Sequence, residues 1–102
     1  MRKERVVISH KARASLRTYV QYLKEEVSPE VAEHVRSGVI DKCKGLKDFS
    51  GYSKERYLEG ESLEYRSVPI WSYMIIYRVT DKEVRILNIV HTSAHPSIRK
   101  GV

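Results

Sequence analysis

Two residues, Val27 and Ser28, are all that separates two stretches of helical periodicity, and that short connection constrains the fold more than any other feature. Before it, Ala12, Leu16, Tyr19, Val20, Leu23 and Val27 recur at steps of four, three, one, three and four, the spacing of one helix face. Ser9 heads this run as an N-cap, its hydroxyl suited to accept from a free first-turn amide. After it, Ser28-Pro29-Glu30 is a second start signal. Serine caps, proline suits the first helical position, and a carboxylate suits the positive end of the dipole. Val31 or Ala32, Val35, Val39, Cys43 and Leu46 continue at helical spacing, and the helix fades between Gly45 and Asp48. Helices of about 17 and 19 residues joined this tightly fold back as an α-hairpin. Gly38, inside the second, costs roughly 1 kcal/mol against alanine, and a close contact with the first helix would explain it.

From residue 63 the period changes to two. Residues 63–68, 71–80 and 83–91 are rich in Tyr, Ile and Val and read as strands, with Asp81-Lys82 as a tight hairpin break. Pro69 should end or bulge the first of them. Val6-Val7-Ile8 is a brief β-branched strand at the start. Residues 49–61 form a polar connector with a short turn or strand around Tyr57-Leu58, and 92–102 a basic tail expected to be flexible. The order is strand, two helices, three-strand meander (β-α-α-β-β-β). That is an α+β domain over residues 1–102, the α-hairpin burying its apolar stripe against a mainly antiparallel sheet.

Length and charge limit the function. A chain of 102 residues is one domain's worth, which excludes multi-domain enzymes and large cofactor folds. Nineteen Lys and Arg against thirteen Asp and Glu give +6, a surplus that favours nucleic acid or an acidic protein segment as partner. The lone Cys43 excludes an intrachain disulfide and any multi-thiolate zinc site, and suits a reducing, cytoplasmic setting. The run Val6-Val7-Ile8 is too short for a signal-peptide core, and no apolar run is long enough for a membrane partner. There is no phosphate-binding glycine loop and no G-x-S-x-G elbow, so no cofactor is expected. His91 and His95 lie four apart, but Pro96 disfavours a helix there and no carboxylate or thiol is close in sequence, so no metal is expected either.

The residue best suited to chemistry is His91, at the end of the last strand. A histidine there could act as a general acid or base, with Arg66 and Arg78 in neighbouring strands stabilising a phosphorane-like transition state. Strict alternation puts His91 on a face with Arg85, Leu87 and Ile89, but one bulge reverses such an assignment. The plainer readings are a polar strand terminus for His91 and a solvated arginine for Arg66. Tyr65, Trp71, Tyr73 and Tyr77 could stack bases, though aromatics in strands more often fill a core or a dimer interface. Lys11, Arg13, Arg17 and Lys24 lie off the first helix's stripe and give it a basic outer face.

Several local features bear a family likeness. They are Ile8-Ser9-His10-Lys11-Ala12, Tyr19-Val20-Gln21-Tyr22-Leu23, Ala32 and Leu46 at the ends of the second stripe, Tyr65-Arg66, Tyr73-Met74-Ile75-Ile76-Tyr77, and Val84-Arg85-Ile86-Leu87-Asn88-Ile89-Val90-His91. Their succession over about residues 5 to 96 resembles the ParE-like, plasmid-stabilisation branch of the RelE/ParE superfamily of small bacterial toxins. The resemblance implies a toxin neutralised by a cognate antitoxin that carries an acidic, partly disordered segment. It implies a homodimer, or a heterotetramer with antitoxin. RelE-like members cut messenger RNA in the ribosome; ParE-like members poison DNA gyrase by binding. The resemblance implies that His91 matches the histidine variant of a position near the end of the last strand on which nuclease members rely, and that Arg66 matches an arginine common across the superfamily, the two being catalytic only if the chain is a nuclease. Met74, however, stands where many members have arginine, and Thr92-Ser93-Ala94 replaces the usual basic pair. With those cations lost and a long α-hairpin present, the resemblance favours gyrase inhibition. Metal-independent, ribosome-dependent mRNA cleavage and an inactive antitoxin-binding relative are the alternatives. Partner contacts are then expected from Arg66, Arg78, Arg85, Tyr73, Tyr77, Arg13 and Arg17.

Overall fold

The computed structural model describes residues 3–48 and 65–92. The expected connector and tail therefore lie outside the described residues, Thr92 excepted. The elements run β1 (Arg5–Ile8), α1 (His10–Glu26), α2 (Pro29–Gly45), β2 (Arg66–Ile70), β3 (Tyr73–Val79) and β4 (Glu83–His91), the α+β order anticipated from the sequence. They form one four-stranded sheet in the order β1-β4-β3-β2, in which β1 runs parallel to β4 and the other pairs are antiparallel. No helix among the described residues is long and apolar enough to cross a membrane.

Both helices start where serine hydroxyls accept first-turn amides. Ser9 Oγ accepts from Ala12 N at 3.0 Å, and Ser28 Oγ from Val31 N at 3.1 Å with Pro29 beginning α2. The hairpin between them is closed by backbone bonds from Val27 and Ser28 N–H to the Leu23 carbonyl. Ala12 and Leu16 of α1 meet Val39 and Cys43 of α2 and Leu46 beyond it, over Val68, Tyr73, Ile75, Tyr77, Val84, Ile86 and Ile89 of the sheet. Val27 does not join this core. It follows the last turn of α1 and is 59% exposed, so the apolar stripe ends at Leu23.

Three local expectations change. Strand β2 passes through Pro69 to Ile70; among the described residues it lies at the edge of the sheet, where proline is tolerated, and Pro69 still opposes Met74. Trp71 and Ser72 form the two-residue turn between Ile70 and Tyr73 instead of opening the next strand. Gly38 is accounted for by a different neighbour: a methyl group there would overlap the Trp71 indole.

The sheet carries one irregularity that decides which way its side chains face. Ile76 opposes Asn88 while Tyr77 opposes Ile86, so Leu87 is an extra residue on β4. Alternation reverses there. Val84, Ile86 and Ile89 therefore all face the helices, while Val90 packs with Ile76, Met74 and Tyr65 in a second cluster on the opposite face.

Strand β1 ends at Ile8, opposite Ile86, leaving the rest of that β4 edge to be covered by α1. Ser9 Oγ donates to the Leu87 carbonyl at 2.9 Å. Ser15 Oγ donates to Asn88 Oδ1 at 2.8 Å, and that oxygen also accepts Ile89 N–H. The Tyr19 hydroxyl accepts His91 N–H at 3.0 Å. The Ser9 cap and Tyr19 directly, and Ser15 through the Asn88 amide, thus satisfy part of an edge that would otherwise template another strand.

Candidate functional site

Where α1 crosses the end of β4, the helix, the β2–β3 turn and the last strand enclose a groove of about 650 Å³. Helix α1 contributes Thr18, Tyr19, Tyr22 and Leu23, α2 contributes Val35, the turn Trp71 and Ser72, and the sheet Tyr73 and His91. Among these described lining residues none is Lys or Arg.

Strand register places Tyr73 directly opposite His91. Their rings meet edge to face at 5.5 Å, and Tyr19 from the helix above lies 5.2 Å from Tyr73 and 6.5 Å from His91. The Thr92 amide donates to the Ser72 carbonyl at 2.8 Å, tying the strand end to the turn. Burial, with a smaller effect of Tyr19, pushes the Tyr73 phenol above the ordinary tyrosine range, so it stays protonated at neutral pH.

Trp71 forms the rim. Its φ of 50° is a conformation that favours glycine and costs a bulky residue roughly 1–2 kcal/mol. The indole lies against Gly38 and 5.0 Å from the His34 ring, leaving the residue 54% exposed. Tyr22, 63% exposed, stands on the helix side of the groove. Large aromatics held at the surface in this way can bind an apolar partner segment.

The structure sets apart the strand positions of His91 and Arg66, the pair expected to act together if the chain cut RNA. His91 and Arg66 share the helix-side face, because Arg66 opposes Tyr77 and His91 opposes Tyr73. Four residues of β3 and two strand spacings lie between them, about 13 Å along the sheet and about 10 Å across it. Arg78 and Arg85 oppose each other on the other face. The assignment of Arg85 to His91's face is thus overturned by the bulge at Leu87. Tyr73 and Tyr77, expected among the partner contacts, are 7% and 0% exposed and belong to the core. Arg13 and Arg17 do stand exposed on the outer side of α1. Cys43 is fully buried between helices and sheet, which drives its thiol up to about 12 and leaves it inert at neutral pH.

Sequence reasoning passed over two features. Trp71 carries no turn signal, since neither it nor Ser72 is the Gly, Asn or Asp that such a turn favours. Glu83 is a carboxylate whose side chain is only 9% exposed, clasped by Nε of Arg5 and Nε of Arg85, each at 2.6 Å. Its alternation with Arg85 hinted at a charged sheet face, but the partner on β1 emerges only from strand pairing.

Comparison with known proteins agrees with this architecture. No curated protein sequence matches the chain. Among solved structures, a chain of the chromosomal ParDE TA system from P. aeruginosa superposes with a TM-score of 0.71. It is 22% identical, and the match covers 89% of this chain and 96% of that one, a likeness of fold. The family model described as the ParE toxin of type II toxin-antitoxin system, parDE, matches residues 6–96. Matched over nearly its whole length by that model, the chain belongs to the ParE toxin family of type II toxin–antitoxin systems.

Proposed function

We propose that this protein is a toxin that inhibits DNA gyrase by binding, without breaking a bond, and that a cognate antitoxin neutralises it in the bacterial cytoplasm. The observation that carries the reading is the separation of Arg66 from His91. Cleavage by the expected pair needs the His91 imidazole and the Arg66 cation on one phosphodiester, and their strand positions, about 13 Å apart along the sheet and about 10 Å apart across it, are poorly placed to share one phosphorus. What lies beside His91 instead is a pair of tyrosine rings and an apolar groove.

The same groove supports the antitoxin reading. Trp71 and Tyr22 offer exposed aromatic anchors, and Arg13 and Arg17 present guanidiniums along the neighbouring helix surface. A disordered segment with apolar and acidic residues would fold onto such a surface, its ordering cost keeping the complex releasable. A homodimer, or a heterotetramer with antitoxin, would then be the working assembly.

The test is a supercoiling assay with purified gyrase and relaxed plasmid. Inhibition that rises with toxin concentration and is reversed by the antitoxin supports the reading. Full supercoiling at excess protein, with ribosome-bound mRNA cut, would replace it by the nuclease activity. Full supercoiling and no growth arrest on induction without the partner would leave an inactive antitoxin-binding relative.

A further inference from the structure

The face of the sheet turned away from the helices carries an arginine cluster that the groove does not involve. Val84 and Ile86 point into the helix-side core, so Glu83 and Arg85 lie on the opposite face. Strand register then sets Arg5 against Glu83, Val7 against Arg85, and Arg78 against Arg85. Three adjacent strands thus bring three arginines to one stretch of this face, two of them on one carboxylate and the third opposite Arg85.

Glu83 holds two of them. Its oxygens accept Nε–H from Arg5 and from Arg85 at 2.6 Å, and its side chain is 9% exposed, while the two arginine side chains remain 66% and 53% exposed. Nε–H is one of five donors on a guanidinium, so each fork keeps donors for a second acceptor. Arg78 is the third and is half-buried; among the described residues no hydrogen bond or ion pair engages it. Cross-strand partners stand about 5 Å apart at Cβ, and like charges so placed repel. Around the cluster, Lys3 and Lys82 are offset by Glu4 and Asp81, with Lys3 Nζ donating to the Asp81 carbonyl at 3.5 Å. Among the described residues, the uncompensated charge therefore belongs to the arginines themselves.

We propose that Arg5, Arg78 and Arg85 form a binding site for the phosphodiester backbone of a nucleic acid, with Glu83 as the positioning residue that fixes Arg5 and Arg85. A phosphate between Arg78 and Arg85 relieves their repulsion and accepts from both forks. The neighbourhood favours phosphate over an acidic protein segment. Protein interfaces are built round apolar and aromatic anchors, and the exposed ones, Trp71 and Tyr22, line the groove on the helix side. The only large apolar side chain exposed beside the arginines among the described residues is Val7, at 37%. Backbone contacts of this kind position a protein on nucleic acid without reading sequence. The site stands independently of gyrase inhibition and can fail without it.

Fluorescence anisotropy of the full chain with a short duplex DNA, and with a single-stranded RNA of equal length, across a salt series tests it. Each phosphate contact contributes a slope of about −0.9 for duplex DNA in log K against log salt. Arg78→Gln should therefore weaken binding about five- to tenfold at about 0.1 M salt and lower the slope by about one. Arg78→Lys, which keeps the charge, should retain most of the slope and verify that the residue acts as a cation. Lys44→Gln, on the exposed side of α2, removes equal charge elsewhere and should shift binding less than about twofold. Binding to the duplex alone identifies DNA as the source of the phosphates, and equal binding to both probes identifies the backbone common to them. Equal losses for Arg78→Gln and Lys44→Gln overturn the site in favour of diffuse charge. So does failure of the folded wild type to bind either probe, or binding of polyglutamate alone with the same dependence on Arg78.

Discussion

Gly38→Ala should destabilise the protein, although alanine is the better helix former, because the added methyl group occupies the space of the Trp71 indole. The magnitude follows from opposing terms. Replacing glycine inside a helix gains about 1 kcal/mol. Displacing the indole forfeits its contact with α2. The residue is 54% exposed, so roughly half of the 150–250 Å² an aromatic can bury, about 100 Å², is at stake. At about 25 cal/mol per Å² that is about 2.5 kcal/mol, for a net loss of about 1.5 kcal/mol. The sign should reverse when the indole is absent: in a Trp71→Ala background the same change should stabilise by about 1 kcal/mol. The coupling in a double-mutant cycle is then about 2.5 kcal/mol, well outside the additivity error of independent sites. Urea unfolding followed by circular dichroism measures all four proteins. Trp71 is the sole tryptophan, so a red shift of its emission in Gly38→Ala reports the displaced ring directly. Equal stabilisation in both backgrounds, with unchanged emission, would refute the contact and the reason given for the glycine.

Other expectations are simpler to state. Ile86→Ala, at the centre of the core between β4 and the helices, should cost about 2–5 kcal/mol by urea unfolding, whereas Val7→Ala on the exposed face should cost under about 1 kcal/mol. The hydrogen bonds from Arg85 and then Arg5 hold the Glu83 carboxyl below its ordinary value of 4.5. Its contribution to stability is therefore present above that value and lost as pH falls through the lowered one; Glu83→Gln should flatten this acid limb in melting temperature against pH. Cys43 should resist thiol reagents at neutral pH in the folded protein and react at the rate of unfolding, as a maleimide time course in increasing urea would reveal.

Much of this architecture was legible because it rests on local rules. Ser9, Ser28 and Pro29 announce both helices, and the two-residue break between them dictates the hairpin. The β-branched and aromatic runs announce the strands. What escaped was whatever depends on a partner strand. The parallel pairing of β1 with β4 is what delivers Arg5 to Glu83, and no local pattern encodes it. The extra residue Leu87 turned Arg85 to the face opposite His91, although alternation alone joined them. Pro69 looked like a strand breaker because edge position cannot be read from composition. The tyrosines were visible as core candidates and as contact candidates alike; only the packing of both helices over β3 put Tyr73 and Tyr77 inside.

The central claim is that the protein arrests growth by binding and not by catalysis. The most direct measurement is growth, with transcript integrity, after induction of a His91→Ala/Arg66→Ala double variant without antitoxin, its fold verified by thermal melting. The account expects arrest at the wild-type level with messenger RNA intact in both. Arrest that disappears with the imidazole and guanidinium, together with transcripts cut by the wild type in the ribosome, would contradict it.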